Sequence, residues 1–175
     1  KFTDGEVIEN PAENKRSYSS IWNNDAVGDG HARSMLDSPQ AWSSQNNSVG
    51  EWVQMHLGSA KTVLGVVTQG RKTGHAQWIN SFKVKYWVNN TWYNVDGYKT
   101  YTQGNTDNET KIINYFDNSI TAEYIRIYPQ TWTGHMSMRA GVLVKYKNSW
   151  SRIIDFGNGE SSYNFLIAKN GPNEK

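Results

Sequence analysis

Phe82-Lys-Val-Lys-Tyr-Trp-Val-Asn-Asn-Thr-Trp-Tyr-Asn-Val95 decides the fold class. Phe82, Val84, Tyr86 and Val88 alternate with Lys83, Lys85 and Trp87, and because successive strand side chains point to opposite faces, this segment is a strand with one apolar face. Asn89-Asn90 then reads as a hairpin turn into residues 92–95, since asparagine tolerates the left-handed backbone such turns require. Upstream, Val53, Met55 and Leu57 alternate with Trp52, Gln54 and His56, and the apolar stretch 63–67 suits a buried strand. Downstream, Asp96-Gly97 is a second turn signal, and residues 112–116, 124–128 and 136–146 supply further strands. No sustained 3.6-residue apolar period follows Glu51. The chain therefore reads as all-β, a sandwich or barrel of short strands.

Composition narrows the function classes. The 175 residues, 37% hydrophobic and 13% aromatic with Trp 8 and Tyr 10, suit one folded domain with a short extra piece. A net charge of +2 gives no dense cationic field, so nucleic acid is not an expected partner. No apolar run reaches the roughly 20 residues that span a bilayer. Cys 0 removes disulfides, thiol nucleophiles and thiolate metal sites together. Lys1 opens the chain without a signal sequence, which reads as a processed or excised fragment. No Gly-x-Ser-x-Gly, His-Glu-x-x-His or phosphate-cradling motif occurs, and the four histidines are scattered without metal-ligand spacing. An enzyme is not expected.

Before Glu51 the chain is polar and loop-like, yet residues 14–45 carry Tyr18, Trp22 and Trp42. Such aromatics either offer contact surface on binding loops or pin those loops to the core, and pinning is the expectation for each tryptophan. Arg71 is the leading site residue: it stands at a turn among polar neighbours, and its planar fork of donors can grip two hydroxyls or a carboxylate.

Val66-Val-Thr-Gln-Gly-Arg71, Gln77-Trp78, Ser81-Phe-Lys-Val-Lys-Tyr86, Tyr124-Ile-Arg-Ile-Tyr-Pro-Gln-Thr-Trp132 and Gly134-His-Met-Ser-Met-Arg139 follow one another in order. They are preceded by Ala32-Arg-Ser-Met-Leu36, Ala41-Trp-Ser43 and Glu51-Trp-Val-Gln-Met-His-Leu-Gly58. This series, over roughly residues 5–146, resembles the discoidin domain family, which includes the C domains of coagulation factors five and eight and the amoebal lectins. The resemblance implies a discoidin-type jelly-roll β-sandwich of about eight strands, galactose-binding-domain-like, with ligand loops at one end. Carried over from the lectin members, it places Arg71, Lys72, His75, Gln77 and Trp78 at a sugar site. Two loops should meet them, one bringing Tyr18, Asn24, Asp25, Asp29 and His31, the other Asn47.

The expected function is thus a non-catalytic lectin module for terminal galactose or N-acetylgalactosamine, extracellular or surface-exposed, with glycans as partners. The alternative is a peripheral module for anionic phospholipid or for protein adhesion. Residues 71–76 are polar, and Ala26-Val27 is the only apolar pair in the first loop, which argues against membrane insertion. The resemblance also implies a calcium loop at Asp37 in bacterial relatives, with a Glu where this chain has Gly141; losing that oxygen ligand weakens the site, and no cofactor or required metal is expected. The binding domain is assigned to residues 1–147. In 148–175, Arg152-Ile-Ile-Asp-Phe-Gly-Asn-Gly159 and Asn164-Phe-Leu-Ile-Ala168 look like the opening of a laminin-G or concanavalin-like domain.

Overall fold

The computed structural model describes residues 5–72 and 74–146. The laminin-G-like start expected at 148–175 lies outside them. Eight strands are formed: β1 (Glu6–Glu9), β2 (Arg16–Tyr18), β3 (Trp42–Ser43), β4 (Val53–Gln69), β5 (Trp78–Val88), β6 (Thr91–Asn94), β7 (Ile112–Thr133) and β8 (Ser137–Lys145). Their pairings are antiparallel in the order β1-β8-β4-β7-β5-β6, with β2 on β4 and β3 on β8. The all-β sandwich read from the alternation is the fold observed.

The decisive segment forms the β5–β6 hairpin, with Asn89 at φ 49°, Asn90 at φ 58° and Val88 opposite Thr91. Val84 is fully buried while Lys83 and Lys85 are only half-buried. Stretches 112–116 and 124–128 differ from the expectation: they belong to one strand, β7. The polar residues 117–119 between them lie where β7 bulges against β4, between the Val63–Ile120 and Gly65–Tyr115 pairs, and a second shift falls between His56 and Lys61. Such bulges bend paired strands without ending them, so β4 pairs with β2 at one end and with β8 at the other.

Val53, Met55, Val66, Phe82, Val84, Ile125, Ile127, Met138 and Val142 meet in the core. Trp42 joins them, fully buried, with its Nε1–H donating to the Ser20 carbonyl at 2.8 Å and its ring stacked on Tyr18 at 6.0 Å. This tryptophan pins its loop as expected. Tyr18 belongs to the same scaffold: burial pushes its phenol pKa up, and the hydroxyl bridges Glu13, Ala32 O and Ser34. Among the described residues no helix is long and apolar enough to cross a membrane.

Candidate functional site

The segments that join β2 to β3, β4 to β5 and β7 to β8 enclose, with β3, a cleft of about 300 Å³ lined by Trp22, His31, Ser43, Arg71, His75, Gln77 and His135. Arg71 is held across it: Nε donates to Gln40 Oε1 at 2.8 Å, Nη1 to Gln77 Oε1 at 2.7 Å, and the backbone N–H to the Gln77 carbonyl at 2.9 Å. Both side-chain partners are neutral amides, and among the described residues Nη2 has no partner. Partial burial lowers the pKa of the guanidinium, but an arginine stays charged at neutral pH. The site therefore presents an oriented cation with a spare donor.

Histidines line much of the rest of the cleft. Asp25 Oδ2 accepts from both the His31 backbone N–H and ring Nδ1, each at 2.8 Å, and the backbone bond leads in holding its carboxyl below the usual range. An ionised carboxylate only accepts, so Nδ1 is the donor and the ring is fixed with Nε2 unused by Asp25. His135 Nε2 lies 2.8 Å from the Ser44 carbonyl and, since a carbonyl only accepts, donates to it. Trp22 packs its edge on His135 at 5.2 Å and remains 48% exposed, offering an apolar face. Donors, acceptors and an aromatic face are what a sugar ring with paired hydroxyls requires.

Gly30 makes the Asp25–His31 pair possible. It sits at φ +41°, and a Cβ there would overlap the Asp25 carboxylate. Gly30→Ala is expected to cost about 1–2 kcal/mol from the left-handed backbone and to weaken ligand binding by freeing His31. A thermal melt with a parallel titration checks both; unchanged affinity would show that the pair does not orient the ring.

Beneath the cleft, Arg139 joins three loops. It is fully buried, and it donates from Nε to Gly70 O at 2.7 Å, from Nη1 to Ser38 O at 2.9 Å and from Nη2 to Asn108 O at 2.6 Å. Gly70 precedes Arg71, Ser38 precedes the Gln40 that grips Arg71, and the Asn108 side chain donates to His75 O at 3.1 Å. One guanidinium thus fixes the backbone around all of them.

A calcium ion does not fit the loop at Asp37. Its carboxylate accepts from Lys111 Nζ at 2.5 Å, already neutralised by an ammonium. The Arg16 guanidinium, lowered by burial to about 10 and so still charged, takes the carbonyls of Pro11, Ser34 and Ala140 at 2.8–2.9 Å. A Cβ on Gly141 would come within 2.6 Å of Leu36 Cδ1 and 2.9 Å of Glu9 O, so no carboxylate can enter from there. Among the described residues no group of three or more His, Asp or Glu side chains is placed to hold a metal.

Comparison with known proteins matches residues 13–142 to the F5/8 type C domain. The chain belongs to that family. Rat (Rattus norvegicus) lactadherin is 38% identical over 107 residues, 59% of this chain and 25% of its own length. A discoidin-1 polypeptide of Dictyostelium discoideum is 32% identical over 105 residues, 59% of this chain and 41% of its own. The chain thus spans well under half the length of these relatives. Among solved structures, discoidin II of Dictyostelium discoideum superposes with a TM-score of 0.60 at 26% identity, over 78% of this chain and 57% of that one. A family 32 CBM from C. perfringens NanJ, in complex with galactose, gives 0.60 at 18% identity over 79% and 98%.

Within this F5/8 type C domain, His31, Arg71, His75 and Gln77 are brought together in the cleft, and Asp25 stands behind His31. The other expected residues lie off its walls. Asp29 is mostly exposed beside Arg33 at 3.7 Å, Asn24 and Lys72 are exposed, Trp78 pairs with Thr133 at the start of β5, and Tyr18 packs on Trp42. Asn47 acts through its Oδ1, which accepts from the Met136 N–H at 2.8 Å and ties its loop to β8. Trp22, Ser43, Gln40 and His135 belong to the site without having been expected there. For Trp22, expected to pin its loop, the structure gives the opposite placement: it sits on a 3₁₀ turn with Asn23 and Asn24 at positive φ, which turns the ring outward.

Proposed function

We propose that this F5/8 type C domain binds a terminal sugar, galactose or N-acetylgalactosamine, in the Arg71 cleft without altering it, as one extracellular module of a larger adhesion or recognition protein. The observation that carries the reading is the Arg71 guanidinium, clamped between Gln40 and Gln77 with Nη2 unpartnered among the described residues, in a cleft that Trp22 also lines. The solved family 32 CBM in complex with galactose is a sugar-bound module on this same sandwich. The choice of galactose rests on the likeness to the lectin members. A glycan array followed by calorimetry with galactose tests it: binding should survive excess chelator, because Lys111 and Arg16 occupy the oxygens a calcium would use, and should release no reducing ends. Loss of binding in chelator that calcium restores, or no glycan bound at all, would overturn the reading.

One observation favours a membrane surface instead: Val27 and Val49 are exposed on the loops between β2 and β4, and bulky apolar tips insert into head groups. Flotation with phosphatidylserine vesicles separates the two, since a sugar-only module stays with the soluble fraction.

The neighbouring domain expected after residue 147 is part of the same proposal. Deleting the chain beyond Lys147 should leave the sandwich folded and its affinity unchanged, because β1 to β8 and all cleft residues precede that point. A truncated protein that unfolds or loses its ligand would make the tail an integral part of the domain.

A further inference from the structure

The sheet face turned away from the core carries a second constellation, on strands rather than loops. Register sets Gln54, Arg126, Lys85 and Asn94 side by side across β4, β7, β5 and β6, and His56, Tyr124, Trp87 and Trp92 in the adjacent row. Their sequence neighbours Met55, Ile125 and Val84 are fully buried, so both rows face outward. Tyr128 lies opposite Lys83.

The cations of this face are held on aromatic rings. The Arg126 guanidinium is sandwiched 4.0 Å from the Trp52 ring and 4.2 Å from the Trp92 ring. Lys83 Nζ and Lys85 Nζ converge on one ring, Tyr98, at 4.6 Å and 5.0 Å. Tyr98 reaches that position through three successive left-handed residues, Asp96, Gly97 and Tyr98 at φ 45°, 65° and 65°, a conformation that costs free energy at the two non-glycine residues and persists only where its surroundings impose it. The carboxylates on this turn are engaged elsewhere: Asp96 with Tyr101, Lys99 and the Asp117 N–H, and Asp117 with Lys99. Among the described residues no ion pair joins Lys83, Lys85 or Arg126 to a carboxylate.

Two ammonium groups gathered on one ring, with a guanidinium on the next strand and no carboxylate paired to any of them among the described residues, are complementary to closely spaced anions. Residues two apart on a strand are roughly 7 Å apart, and four strands make a face about 14 Å wide, flat enough for an extended polymer. Base stacking needs free ring faces, whereas here His56 lies against Tyr124 at 4.4 Å and the Trp52 and Trp92 faces are taken by Arg126. That arrangement favours a sulfated polysaccharide over a single-stranded nucleic acid. We propose that this face of β4, β7, β5 and β6 is a second binding site, separate from the cleft, for a sulfated polysaccharide held by Lys83, Lys85 and Arg126.

The test is binding of dextran sulfate, uncharged dextran and an oligothymidylate to the wild type, K83Q/K85Q, K83R/K85R and R71A, at two salt concentrations. Dextran sulfate should bind the wild type, more weakly at higher salt, while dextran does not. K83Q/K85Q should lose at least tenfold, and K83R/K85R and R71A should keep their affinity. Should K83Q/K85Q melt early, K83Q and K85Q singly carry the comparison. Unchanged binding in the glutamine variants overturns the proposal, as does loss in R71A alone, which would move the polyanion to the cleft. Oligothymidylate binding of equal strength through the same lysines overturns it too, assigning the face to nucleic acid.

Discussion

Arg139→Ala is expected to lower stability by about 3–5 kcal/mol, the range for removing one partner from a buried, charge-assisted cluster. Three carbonyls, of Ser38, Gly70 and Asn108, lose their donor at once, and the guanidinium that reaches them is fully buried. The melting temperature should fall by roughly 10–20 °C. Ligand affinity should drop with it even where the variant is still folded, since the same carbonyls anchor the segments that carry Arg71, Gln40 and His75. Arg139→Lys should recover only part of the loss, because one ammonium cannot span three diverging acceptors. Thermal melts with titrations well below the transition check this; a variant that melts early but binds normally would show that the loops hold their shape without the guanidinium.

Arg71→Ala should weaken glycan binding by roughly tenfold to a hundredfold, since a hydrogen bond to a charged group is worth about 1.5–3 kcal/mol. The stability cost should be smaller, on the order of 1–2 kcal/mol, because the bonds to Gln40 and Gln77 lie at a half-exposed rim where water replaces them. Arg71→Lys should rescue poorly: holding both glutamines while presenting a third donor takes a planar fork, which an ammonium lacks. Calorimetry and thermal melts on the three proteins separate the roles. Full affinity in a folded Arg71→Ala would remove Arg71 from the site.

Alternation made the strands legible. Where one face of a strand is buried, period two is imposed on the side chains, as at Val53, Met55 and Leu57. It failed between residues 116 and 124, where one strand reads as two, because a bulge interrupts the period and only the partner strand shows that the pairing continues across it. In the loops no period exists. Trp22 and Trp42 stand in similar polar surroundings, yet one is exposed and the other sealed, a difference set by the backbone of the 3₁₀ turn and by Ser20's carbonyl. The place of Arg71 in a loop was legible because a cation at a turn among polar neighbours stands outside the alternating strands. Arg139, buried in the all-inward strand β8, shows its role only through three carbonyls far apart in sequence.

The pairing of β1 with β8 sets how the domain is tethered. Glu6 lies opposite Lys145, and the Tyr146 N–H donates to Gly5 O at 3.0 Å, so the chain enters and leaves side by side. The nine residues of β8, about 30 Å of strand, separate that point from His135 at the cleft. The two ends of the described chain therefore lie together, far from the cleft. Tension between the two tethers loads the β1–β8 rungs one at a time, from the Tyr146–Gly5 bond toward Glu9 and Val142, so the domain yields to force by unzipping at its base while its ligand loops are still intact.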